Sequence, residues 1–164
     1  MAHPAPTRED APAAPHAGSR TRYADDLYTW VQEQVALLRA GRVDALDLGN
    51  IAEELSDVGS EQYDKLDSAL EGVLAHALKW DHQPERRSRS GSLTIAEQRG
   101  RVARQLRKNP GLRSRIAEAS TEGFRVGQLR AAREMKRPPK SLPAECPDSW
   151  DDILNRPFEF EADR

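Results

Sequence analysis

Apolar residues recur at three- and four-residue steps through most of the chain, the period of helices with one buried face. From Tyr23, the positions Tyr23, Leu27, Trp30, Val31, Val35 and Leu38 share one side of a predicted first helix. Asp25 and Asp26 sit near its positive end, and Gly41 is its stop. A second helix is predicted from the N-cap Asp47, with Leu48, Ile51, Leu55 and Val58 on one face before Gly59. A third begins directly after Ser60. Its apolar positions Tyr63, Leu66, Ala69, Leu70, Val73, Leu74, Ala77, Leu78 and Trp80 fill about half the circumference at about 100° per residue, the width of a central bundle helix.

The stretch from Asp81 to Ser92 contains Pro84, Gly91 and a run of polar residues, and is expected to be a loop. Ser92 is placed to cap a fourth helix with the stripe Ile95, Val102 and Leu106, which Asn109-Pro110-Gly111 ends because proline cannot continue it. A fifth helix over about Leu112 to Met135 turns Ile116, Ser120, Gly123, Phe124, Gly127 and Ala131 to one side. Two mid-helix glycines cost about 1 kcal/mol each relative to alanine, so a close helix contact is expected to offset them. Pro138, Pro139, Pro143 and Pro147 then mark an extended arm. Asp148 is expected to cap a last short helix carrying Trp150, Ile153 and Leu154.

The predicted fold is therefore all-α: an irregular bundle of about five main helices over 22–137, and a Pro-rich arm with a short helix packing on it over 138–164. A tail over 1–21, with almost nothing apolar larger than alanine, is expected to be disordered. No strand run, internal repeat or Gly-rich phosphate loop is visible.

Composition narrows the chemistry. Hydrophobic residues at 37% and charged residues at 32% fit helices with one dry stripe and a wet outer face. No run approaches the roughly 20 apolar residues that cross a bilayer. Met1 to Arg20 lacks the basic and apolar regions of a secretory leader, so no membrane partner and a cytoplasmic location are expected. The single cysteine, Cys146, rules out an internal disulfide and a multi-thiolate metal site; no metal and no cofactor are predicted.

Charge is polarised along the chain. Tyr23 to Glu85 carries 4 basic and 14 acidic side chains, and Arg86 to Arg137 carries 15 basic and 4 acidic. Two halves that fold against each other and cancel explain this, and so does a basic half that grips nucleic-acid phosphate. Glu85-Arg86-Arg87-Ser88-Arg89-Ser90 suits phosphate contacts but has no aromatic side chain on which a base would stack.

Polar residues on apolar faces are the sharpest candidates, because a buried charge needs a partner. Arg99 falls within the fourth helix's only apolar stripe and is expected to be buried. Glu54, at the margin of the second helix's apolar arc, is its expected counter-ion. His76 lies on the matching margin of the third helix, and Gln98 flanks Arg99. Four helices would bring Glu54, His76, Gln98 and Arg99 together. Such a cluster serves as a sealed network fixing helix register in a non-catalytic protein-interaction module. Its alternative is an enzyme cleft for an anionic small molecule, with His76 as base, Glu54 orienting it and Arg99 holding the anion. Lys79, on the outer face of the third helix, is expected to be solvated.

Three segments carry a family resemblance: Leu48-Gly49-Asn50-Ile51-Ala52-Glu53-Glu54, His76-Ala77-Leu78-Lys79-Trp80-Asp81-His82-Gln83-Pro84-Glu85-Arg86-Arg87-Ser88-Arg89-Ser90, and Thr94-Ile95-Ala96-Glu97-Gln98-Arg99. Through them the chain, from about Tyr23 to Leu154, resembles the bacterial family called domain of unknown function 29. The resemblance implies a helical fold and no particular activity. Carried over, it points to Glu54, His76, Lys79, Trp80, Gln83, Arg87, Gln98 and Arg99, of which Lys79, Trp80, Gln83, Arg87 and Gln98 are binding candidates. The family pattern usually has a Trp after the second serine; Gly91 stands here, which removes an aromatic role from the loop.

Overall fold

The computed structural model describes residues 20–160. The described residues are all-α: α1 (Leu27–Arg39), α2 (Leu48–His82), α3 (Arg89–Lys108), α4 (Ile116–Met135) and the short α5 (Trp150–Asn155), linked by turns of 3-10 helix. The chain forms two compact units, one up to Glu54 and one from Leu55 onward. Of the tail expected to be disordered, residues 1–19 lie outside the described residues, as do His3 and His16.

In the first unit Asp26 caps α1 by accepting from the Thr29 amide at 3.0 Å, four residues later than the periodicity starting at Tyr23 suggested. Trp30 is buried, with Tyr23 edge-on against it at 5.0 Å, and its indole N–H donates to Asp47 at 3.3 Å. Gln34 is buried and accepts from the Asp47 amide at 2.9 Å, which ties the start of α2 to α1.

The predicted break at Gly59 does not occur. α2 runs unbroken for 35 residues through Gly59 and Ser60. A glycine at a helix position costs only about 1 kcal/mol, too little to end a helix by itself. The apolar stripe predicted for the separate second helix is largely bare: Leu48 is 60% exposed, Leu55 67% and Val58 55%.

In the second unit the lower part of α2 is the central element. Leu66, Leu70, Val73 and Leu74 are almost fully buried, and α3 meets them with Ile95, Val102 and Leu106. α4 approaches through Ala119, Gly123, Gly127, Ala131 and Met135, all buried and spaced by four, a single i±4n ridge. A Cβ added at Gly127 would lie 3.1 Å from the backbone of both Ala75 and Glu71, so the two helices touch backbone to backbone. This is the close contact expected of the α4 glycines. Gly72 faces α3 through a side chain instead: Gln98 occupies the space that a Cβ at Gly72 would need.

Three boundaries differ from the sequence reading. α3 starts at Arg89 with Ser88 as its N-cap, and a 3-10 turn over Pro110–Arg115 precedes α4. α5 is capped by Ser149 in a reciprocal capping box with Asp152. The arm returns to the core, where Leu142, Ile153 and Phe158 are buried. No helix is long and apolar enough to cross a membrane among the described residues.

Candidate functional site

The last turns of α2 place His76, Lys79 and Trp80 at i, i+3 and i+4, one face of one helix, and Gln83 follows directly after its last residue, His82. The chain then turns through Pro84–Arg86 and enters α3 at Ser88, folding the basic loop back over that face. The result is a cleft of about 330 Å³ lined by His76, Lys79, Trp80, Gln83, Arg86 and Arg87, with Ser88, Ser90, Gly91 and Thr94 at the start of α3 and Glu134 from α4.

The wall of the cleft is held by specific contacts. Arg87 donates from Nε to the Trp80 carbonyl at 2.9 Å, and its guanidinium lies 5.5 Å from the centre of the Trp80 ring. Trp80 lies close to Gly91, where even a Cβ would come within 3.8 Å of the indole. Ser88 Oγ accepts from the Gly91 amide at 3.1 Å and so caps α3. Lys79 is not the solvated side chain expected: it is only 25% exposed and donates to Glu134 at 2.5 Å, while Glu134 also accepts from Arg130 at 3.0 Å. Arg130 reaches on to Glu71 at 3.4 Å.

These charges set the protonation of the site. Burial, then the positive charges of Lys79 and Arg130, push the His76 imidazole below its usual range, and Glu134 opposes them less strongly. Burial raises the Glu134 carboxyl, but the hydrogen bonds from Lys79 and Arg130 outweigh it and hold the group ionised. His76 is half-buried, neutral near pH 7, and forms no hydrogen bond among the described residues.

The four-residue cluster expected from helical wheels does not form. Glu54 and His76 share α2, roughly six turns apart, because the predicted break between their helices is absent. Glu54 belongs to the first unit and accepts from the Tyr23 hydroxyl at 2.6 Å. Arg99 is half-buried rather than buried, and its partners are carbonyl oxygens. It donates to Ile153 at 2.7 Å, Arg156 at 2.8 Å and Asp152 at 2.9 Å, gathering the end of α5. A guanidinium has five N–H donors, and peptide dipoles at a helix C-terminus satisfy it as a carboxylate would. Gln98 packs on Gly72 and lines a separate charged groove between α2 and α3.

The cleft thus unites His76, Lys79, Trp80, Gln83 and Arg87, and leaves out Glu54, Gln98 and Arg99. The sequence reading had Arg86 in its phosphate-contact run but did not single out Thr94 or Glu134. The spacing of Arg130 and Glu134 by four on a helix was the available signal for the last. It missed Phe158 and Arg156 as well, which lie beyond the last predicted apolar position.

Among the described residues no group of three or more His, Cys, Asp or Glu side chains is arranged to hold a metal ion. Cys146 is half-buried, and burial raises its thiol. No curated protein and no solved structure matches the chain. The family model described as Domain of unknown function DUF29 matches residues 22–159, a span that takes in every segment lining the cleft, and the chain belongs to that family.

Proposed function

We propose that the protein is a small binding module that takes a phosphate-like oxyanion in the cleft at the junction of α2 and α3. One observation carries this reading: the cleft gathers Lys79, Arg86 and Arg87, the neutral His76 and the hydroxyls of Ser88 and Ser90 around the N-terminus of a 20-residue helix, against one carboxylate. Cations, rotatable O–H donors and the first N–H groups of a helix are the groups that oxyanions seek. Lys79 and Arg130 already neutralise Glu134, so Arg86 and Arg87 leave the cleft positive. This keeps the anionic ligand of the sequence reading's enzyme alternative without its catalysis, and moves it from Glu54 and Arg99 to the loop arginines.

The reading is one of binding, since neither a carboxylate nor a hydroxyl is hydrogen-bonded to His76 to make a base and nucleophile pair among the described residues. A nucleic-acid track has less support. Arg101, Arg115, Arg125 and Arg130 are each engaged by carboxylates of the same chain, and Arg99 by carbonyls.

Calorimetric titration with pyrophosphate at low salt tests the proposal. Saturable binding is expected, weakened about tenfold or more in Arg87→Gln, since a hydrogen bond to a charged group contributes roughly 1.5–3 kcal/mol. Arg113→Gln, an exposed substitution outside the cleft, should leave affinity unchanged. Glu134→Gln should tighten binding by removing the one opposing charge. Absence of saturation, or equal losses in Arg87→Gln and Arg113→Gln, rejects the reading.

A further inference from the structure

The C-terminal segment after α5 returns to Trp80, a wall of the cleft. Phe158 is buried, and its ring meets the Trp80 indole edge-on, centroids 5.7 Å apart. Its backbone carbonyl accepts from Ser92 Oγ at 2.5 Å. The same ring carries two guanidinium groups, Arg99 at 4.8 Å and Arg156 at 4.6 Å.

Each of those cations is itself tied down. Arg99 holds the carbonyls of Asp152, Ile153 and Arg156, and Arg156 bridges Asp81 and Asp148, both at 3.0 Å. Asp81 is the residue after Trp80. A continuous set of contacts therefore runs from Arg99 through the strap and Phe158 to Trp80, and from Trp80 to Arg87 in the cleft.

We propose that this strap, residues 152–158, sets the cleft wall, with Phe158 as the positioning residue that fixes Trp80 and through it the guanidinium of Arg87. Phe158 does not line the cleft; it acts by packing on Trp80, which does. The proposal rests on the anion-binding reading for its functional consequence but not for its mechanical core. If strap and cleft are coupled, anything that binds Arg87 must also hold the strap more firmly, because coupling between two sites is reciprocal.

The test uses the full chain and two variants that spare the fold: Phe158→Leu, which keeps an apolar side chain in the core but removes the aromatic edge, and Ser92→Ala, which removes the strap's hydroxyl anchor. The first readout needs no ligand. The Arg87 Nε–H signal in NMR, slowed in solvent exchange by its bond to the Trp80 carbonyl, should exchange faster in Phe158→Leu and to a lesser degree in Ser92→Ala. The second readout is pyrophosphate affinity, expected to weaken about three- to tenfold in Phe158→Leu, the range an aromatic edge contact supplies. The third is amide exchange over 153–158, which pyrophosphate should slow in the unaltered chain.

An Arg87 Nε–H that exchanges at the same rate in all three proteins overturns the strap's role, whatever the affinities. Faster exchange in Phe158→Leu, with no pyrophosphate binding by the unaltered chain, keeps the strap's role and removes the anion reading instead. Unchanged affinity in Phe158→Leu, with normal binding by the unaltered chain, also overturns the proposal.

Discussion

His76 is a polar side chain at the edge of an apolar face, half-buried, with two cations and one carboxylate acting on its charge. Its folded-state range lies below the ordinary value of 6.5, so as pH falls the unfolded chain takes up the proton first. The stability that His76 contributes is complete above about 6.5 and is lost as pH falls through its folded value. Urea midpoints measured from pH 7.5 to 5 should therefore fall more steeply for the unaltered chain than for His76→Gln. The difference between the two isolates His76 from Asp67 and Asp148, whose carboxyls burial raises and which act with the opposite sign. Parallel midpoints would mean that His76 is not held neutral. Arg99 shows the converse at the same scale: wheel geometry found a charge that must be satisfied, yet its partners are backbone carbonyls, which no side-chain pattern encodes.

α2 is the clearest divergence at the scale of elements. Gly59 carries the composition of a stop signal, and α2 passes through it for 35 residues. A helix-ending glycine adopts positive φ, where alanine is strained, whereas a glycine inside a helix only weakens it. No atom lies within 4 Å of a Cβ built at Gly59, so Gly59→Ala should stabilise the protein by about 0.5–1 kcal/mol, read from urea denaturation. Destabilisation would restore the break that the sequence suggests. The glycines of α4 behave otherwise. At Gly127 a methyl group meets the α2 backbone at 3.1 Å, and neither helix can yield without moving as a whole.

For the second unit as a whole, the C-terminal arm is part of the core. Leu142, Ile153 and Phe158 are buried in the same cluster as Leu70 and Val102. Burying each such side chain contributes about 1.5–3 kcal/mol. Their sum is comparable to the roughly 5–15 kcal/mol that holds a whole domain folded. A chain ending at Arg137 is thus expected to lose its cooperative thermal transition by circular dichroism. A sharp transition near the full-length midpoint would show an arm that merely rests on the bundle. The polarity of charge along the chain also acquires its meaning here. Within this unit acidic α2 is joined to basic α4 by Glu71–Arg130, with Lys79–Glu134 in the reverse sense, and to the arm by Asp81–Arg156.

Periodicity by itself determined that the described chain is helical, which face is dry on α3 and on α2 from Leu66 onward, and that the α4 glycines serve a close contact, because these depend on local spacing and side-chain volume. The family resemblance had already named His76, Lys79, Trp80 and Gln83, and the end of α2 carries the first three on one face. Only the tertiary structure decided that this face is closed by Arg86, Arg87, Thr94 and Glu134 while Glu54 and Arg99 serve elsewhere. Partner choice depends on where the loop after α2 folds back and where a strap about 70 residues later returns, and neither is a property of any window of sequence.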